Sequence, residues 1–275
     1  MTLRVADVID ILEAAYPPAL AQGWDVNGLS VGDPGAEVTR IHLSVDITPA
    51  VVAEALETGA QMLVTHHPIF LRGTNAVSRL TAKGRMVHDL IRGGCALYNA
   101  HTNADSARDG VAQALAELAG LGPDAVPLEP AAGEAGAAGL GIGRVGALAQ
   151  PVSLGELAAR IAGALPHTEF GVLVGGPVDA QIRTLAVSGG SGDSLFGAAR
   201  ASGADAFLTA DLRHHPAQDH LADGKPWLIN ATHWATEWVW LPKAAALLQA
   251  RAAERGDELT CTVSVLPTDP WTARF

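Results

Sequence analysis

The chain has 275 residues, 48% of them hydrophobic, with a formal net charge of -11 at pH 7. That apolar fraction supports a sizeable core and argues against disorder. The acidic balance argues against broad binding to nucleic acid or anionic membranes, though not against a phosphate-bearing small molecule at a local metal. Its two cysteines, Cys95 and Cys261, form no CxxC pair and read as free thiols in a reducing cytosol. No apolar run reaches bilayer length and the opening stretch MTLRVADVIDILEAAYP has no signal core, so a cytoplasmic protein is expected.

In chain order, Thr2 reads as the cap of a helix whose stripe is Val5, Val8, Ile9 and Leu12, ending before Pro17 and Pro18. WDVNGLSVGD is a loop. RIHLSVDI, 40–47, reads as a strand, and TPAVVAEALETGA as a helix with a Thr cap and Pro49 in its first turn. QMLVTHH is the next strand, 81–92 a helix, CALYNAH a strand and 107–120 a helix. The stretch 121–143 is rich in Pro, Gly and Ala and reads as a linker. A helix over 153–164, EFGVLVGG, the strand IRTLAVSGG, a helix over 193–202 and the strand DAFLTAD follow. RHHPAQDH reads as a loop, KPWLIN as a strand, and 231–254 as one long helix carrying Pro242. This alternation predicts an α/β fold with largely parallel sheets. We place segment boundaries at 125 and 190: an N-terminal α/β segment, a central segment of a second domain, and a C-terminal segment that meets the first at a metal site.

GIGRVG, 141–146, matches the letters of a dinucleotide fingerprint, but a linker precedes it and no helix opens on it, so no cofactor is assigned. VSGGSGDS, 187–194, lies between strand and helix and reads as a tight turn; an anion site at the helix start is the alternative.

Three segments carry histidine and carboxylate just past a strand: His66 with His67, His101 with Asp105, and His233 with Glu237. Spacing of i to i+4 on a helix puts His233 and Glu237 on one face. In open α/β sheets, ligands bind beyond the carboxyl ends of strands. Six donors exceed the needs of one catalytic zinc and suit two divalent ions. The all-N/O set fits zinc, iron, manganese, cobalt or nickel. His215, in an outer position, and Asp46, at the end of RIHLSVD, are candidates for moving protons. His214 has no assigned role, and His42, His88 and His167 read as structural.

WDVNGL, VTHHP, AHTNAD, GIGRVG, SGGSGDS, TADLRHH and THWATE occur in this order. Together they resemble the Nif-three-like family of dinuclear metal-centre proteins, also called GTP cyclohydrolase 1 type 2 homologues, over nearly the whole chain. The resemblance implies two α/β domains and a homohexamer, a trimer of dimers with its metal sites facing the interior. It implies His66, His67, Asp105, His233 and Glu237 as ligands, with His101 at or beside the metals. In the family loop Asn directly follows Asp; here Val26 intervenes. The expected function is a metal-dependent hydrolase acting on a nucleotide-like or phosphate-bearing small molecule. The alternatives are metal storage or delivery, and a ring-shaped interaction scaffold.

Overall fold

Two mixed five-stranded sheets organise the chain, each with its own core. The computed structural model describes residues 2–275. Among the described residues, the first unit comprises residues 2–104 and 241–268, and the second residues 105–240 and 269–275. Of the C-terminal segment that the sequence places at 191–275, residues 241–268 group with the first unit.

In the first unit the strand order is Thr260–Val263, Arg40–Ser44, Met62–Thr65, Ala96–Asn99 and Gly28–Val31. The first four strands run parallel, and Gly28–Val31 pairs antiparallel at the edge. Met62–Thr65 and Ala96–Asn99 are buried throughout, which is why they read as unbroken apolar runs. Helix Pro49–Glu57, capped by Thr48, and helix Ala82–Arg92, capped by Thr81, bring Val51, Val52, Met86, Val87 and Leu90 onto Leu63 and Leu97. Each such side chain, fully buried, contributes roughly 1.5–3 kcal/mol.

In the second unit the order is Leu173–Gly175, Trp227–Ala231, Ala206–Ala210, Gln181–Ser191 and Arg144–Ser153. The three inner strands are parallel and both edges antiparallel. Leu128, Ala186, Ala199, Phe207 and Leu228 form a core cluster. Helices Val111–Leu118 and His233–Trp238 both pack on Gln181–Ser191.

Several elements differ from expectation. The first helix is Val5–Ala15, and Arg4, not Thr2, is its cap, because Leu3–Arg4 pairs with Glu37–Val38; the Arg4 amide donates to Asp7 at 2.8 Å. Residues 144–153 form a strand that the sequence reading left unassigned. His214–Ala222 is a helix rather than a loop. The long final helix is two, His233–Trp238 and Leu241–Glu254. Pro242 lacks the amide that would continue the first helix, so a new helix begins around it. Thr260–Val263 is a further strand not expected from sequence.

GIGRVG opens an antiparallel edge strand, not a helix. Arg144 is buried, and its guanidinium donates to the carbonyls of Gly141, Gly143 and Ala107 at 2.7–2.8 Å. Among the described residues, no helix is long and apolar enough to cross a membrane.

Candidate metal centre

In the first unit the parallel ladder continues one step past Thr65. The His66 amide donates to Ser44 and Val45, both at 3.1 Å, and the His67 amide to Val45 at 2.9 Å. The Ala100 amide donates to Thr65 at 3.0 Å, so the next strand ends at the same level, just before His101. This register gathers the three imidazoles. Their ring centroids lie 5.0–5.4 Å apart, and they offer ring nitrogens within 4.8 Å of one another.

Each ring is held by an oxygen on Nδ1. His66 Nδ1 meets the Ala100 carbonyl at 2.8 Å, His67 Nδ1 meets Asp46 Oδ1 at 2.7 Å, and His101 Nδ1 meets Asp25 Oδ1 at 2.8 Å. An oxygen acceptor fixes the proton on Nδ1 and leaves the Nε2 lone pair to coordinate, the usual support for metal-bound histidine. Asp25 is the anchor of its segment. Its side chain is fully buried and also accepts from the Thr102 hydroxyl at 2.5 Å, the Thr102 amide at 3.1 Å and Asn27 Nδ2 at 3.2 Å. Burial alone would raise its pKa; hydrogen bonds from His101 and Thr102 outweigh that and hold the carboxyl well below the usual carboxylate range.

The second unit repeats the device. His233 opens its helix behind the Thr232 cap, and Glu237 follows one turn later with His233 Nε2 to Glu237 Oε1 at 2.9 Å. His233 Nδ1 meets Asp211 Oδ2 at 2.7 Å. Asp211 follows strand Ala206–Ala210 and is the non-glycine residue with positive φ, 54°, among those described. Asp tolerates that left-handed conformation better than most side chains, and the conformation coincides with the contact to His233. Burial would depress the His233 pKa, but the Glu237 and Asp211 carboxylates overcome it and lift the value to about 11. In the absence of a metal, a proton on the ring balances the two carboxylates; a divalent ion could take over that charge.

SGGSGDS begins as strand rather than as the tight turn expected. Residues up to Ser191 belong to the strand Gln181–Ser191. Gly190 has φ +65°, and a Cβ there would lie 2.5 Å from Glu237 Oε1 and 3.0 Å from His233 Nε2. Any side chain would fill the space in front of the donor atoms. The Gly190 amide donates to Thr236 Oγ1, and Thr209 Oγ1 donates to the Gly190 carbonyl, each at 3.0 Å. The fully buried Thr209 and Thr236 thus fix this glycine against the His233–Glu237 turn.

The remaining sequence candidates fall as follows. Asp105 is half-buried on the short helix Thr102–Ser106. Asp46 contacts the His67 ring, and the Thr268 hydroxyl donates to its other oxygen. His215 is exposed on helix His214–Ala222, with its ring 5.0 Å from that of His214. His42 is structural: Nδ1 meets Thr262 Oγ1 at 2.8 Å and Nε2 meets Glu54 at 3.0 Å. Sequence reasoning missed Asp25, Asp211 and Gly190. Asp25 had one signal, an acidic residue inside the WDVNGL loop, but nothing in the spacing joins it to His101.

These observations define a mixed α/β protein with histidine-carboxylate groups capable of holding metal. The chain belongs to the Duf34/NIF3 (NGG1p interacting factor 3) family, whose pattern it matches over residues 3–270. It is 48% identical over 276 residues to the GTP cyclohydrolase 1 type 2 homolog of Streptomyces coelicolor, covering 98% of this chain and 94% of the relative. The Mycobacterium tuberculosis protein of the same name is 34% identical over 374 aligned positions, covering 98% and 97%. Among solved structures, a Staphylococcus aureus hypothetical protein superposes with TM-score 0.89 at 26% identity over 100% of both chains. A Bacillus cereus protein related to NIF3 shares the fold with TM-score 0.91 at 23% identity over 99% of both chains.

Proposed function

We propose that this chain binds two divalent metal ions and acts as a metal-dependent hydrolase on a nucleotide-like or phosphate-bearing small molecule. The observation that carries the metal reading is the gathering of His66, His67 and His101, whose ring nitrogens lie within 4.8 Å of one another. His66, His67, His101 and His233 each meet an oxygen at Nδ1 within 2.8 Å. The structural His42 shares that Nδ1 contact, with Thr262 Oγ1 at 2.8 Å, so the contact supports the reading only together with the gathering of the rings. The ligands we propose are His66, His67, His101, Asp105, His233 and Glu237. Zinc, iron, manganese, cobalt and nickel all suit these donors.

When bound, such a centre supplies Lewis acidity and a nucleophile available near neutral pH. The chain's own residues do the rest. Asp25, Asp46 and Asp211 orient imidazoles and make them better donors. Asp46 and His215 are the candidates for moving protons. The relatives' cyclohydrolase name supports hydrolysis of a nucleotide-like compound, and the assembly we propose is a homohexamer, a trimer of dimers.

The test is metal content per chain after reconstitution, followed by hydrolysis assays on nucleotides and phosphoesters. The expected result is two ions, with turnover lost on chelation and restored by one particular metal. One ion or fewer would overturn the dinuclear reading. Two ions with no turnover on the panel would replace the hydrolase by metal storage or delivery. Light scattering that finds a monomer at micromolar concentration would remove the hexamer.

A further inference from the structure

The loop that buries Asp25 also displays Trp24. This indole is 59% exposed, and its ring lies 5.9 Å from that of His101 at an interplanar angle of 78°. The loop beneath it is tied down on both sides. The Gln22 amide donates to Thr102 Oγ1 at 2.9 Å, and the Asp25 amide to the Gln22 carbonyl at 2.9 Å. The Val26 carbonyl accepts from Asn99 Nδ2, and Asn27 Oδ1 accepts from the His101 amide, each at 2.8 Å. The loop is therefore bonded to the residues on either side of His101 and to His101 itself. The backbone that carries this large apolar surface is held in place, which lowers the ordering cost of recognition.

We propose that Trp24 is a stacking platform for a planar heteroaromatic ring, so that the ligand's flat end lies on the indole and its polar end reaches the histidine triad. Aromatic side chains prefer offset-stacked or edge-to-face partners, and a heteroaromatic ring offers both a π-face and polar edges. The near-perpendicular contact with His101 leaves most of the indole surface to solvent. A ligand without a flat ring would gain nothing from it. Among the compounds of the proposed reaction, the platform selects those carrying a base over simple sugar phosphates. This inference deepens the metal-centre reading and rests on it for the position of the ligand's polar end.

The experiment is calorimetric titration of the metal-loaded full chain with guanosine 5′-monophosphate and, separately, with ribose 5-phosphate. Wild type, Trp24→Phe and Trp24→Leu are compared, with metal content and molar mass measured on the same samples. Wild type should prefer the base-bearing ligand. Trp24→Leu should weaken it by about 5-fold to 150-fold, the range for loss of one base-aromatic stack. Trp24→Phe should retain most of the affinity, and ribose 5-phosphate should bind all three alike. Equal binding of the two ligands by wild type overturns the proposal, as does an equal loss of both in Trp24→Leu. If Trp24→Leu lowers the molar mass and leaves nucleotide affinity intact, a second copy of the chain covers the indole and the proposal fails. Absence of metal overturns the metal-centre reading, whereas base-blind binding at full metal content overturns this inference alone.

Discussion

Asp25 shows how one residue can matter to a site without a ligand's position in it. Its carboxylate accepts from the His101 ring, from the Thr102 amide and hydroxyl, and from the Asn27 amide group. These partners, and the Val26 amide at 2.8 Å, are all donors, so the carboxylate's lack of hydrogens is essential. Asn at this position keeps the shape but must turn an NH2 toward at least one donor. Asp25→Asn is therefore expected to cost roughly 1–3 kcal/mol of stability. It should also weaken metal binding about 10-fold to 100-fold, as loss of the group behind a coordinating imidazole does. Competition titration against a chelator, with urea unfolding alongside, checks both effects. Unchanged metal affinity in a folded variant would mean that His101 needs no carboxylate to aim it. Val26, the departure from the family loop, is exposed and leaves the Asp25 and Asn27 contacts intact.

Elements were legible where burial stamps a pattern on sequence. Met62–Thr65 and Ala96–Asn99 are buried throughout, so their apolar runs announced them and placed His66, His67 and His101 beyond their ends. Arg144–Ser153 is a half-exposed edge strand with Pro151 in it, tolerated only at an edge, and it carries no alternation to read. His214–Ala222 buries one residue fully, His220, and so shows no helical stripe. The entry to the second sheet was equally hidden, because it depends on one side chain. Asp205 Oδ2 accepts from the Arg183 and Thr184 amides at 2.9 and 3.1 Å, and Oδ1 from Lys225 Nζ at 2.6 Å. Burial would raise its pKa, but Lys225 and the two amides outweigh that and hold it below the ordinary carboxylate value. A carboxyl with a depressed folded pKa contributes stability above its unfolded pKa, about 3.9. That contribution is lost as pH falls through the lower folded value. Asp205→Asn should thus lower stability by roughly 1–3 kcal/mol at pH 7, and the gap to wild type should shrink below about pH 4. Urea unfolding across that range reads it directly. A gap that stays constant with pH would assign the effect to packing rather than charge.

At the scale of the whole molecule, a linear reading of the chain fails because the first unit is discontinuous. Residues 241–268 belong with residues 2–104, and Thr260–Val263 adds in parallel to Arg40–Ser44. Neither segment signals the other, since a pairing so distant in sequence leaves no local trace. What fastens it is polar as well as apolar. His42 bridges Thr262 and Glu54, and Ser264 Oγ donates to Glu54 at 2.6 Å. Helix Leu241–Glu254 packs on both Thr260–Val263 and Arg40–Ser44, burying Ala244, Ala245 and Leu248. A chain ending at Trp240 would leave Arg40–Ser44 as an open edge, strip the helix from it, and leave the buried His42 with one partner instead of two. Exposed apolar strand edges invite aggregation and local opening. The truncated chain is therefore expected to lose amide protection in Arg40–Ser44 and Met62–Thr65, and with it the geometry of His66 and His67. Ala206–Ala210 and Trp227–Ala231, whose sheet partners all precede residue 240, should keep theirs. Hydrogen exchange resolved by segment makes the comparison within one sample. If Arg40–Ser44 exchanges as slowly as in the full chain, the first unit needs nothing after residue 240. The C-terminal segment would then be an accessory to that fold rather than part of it.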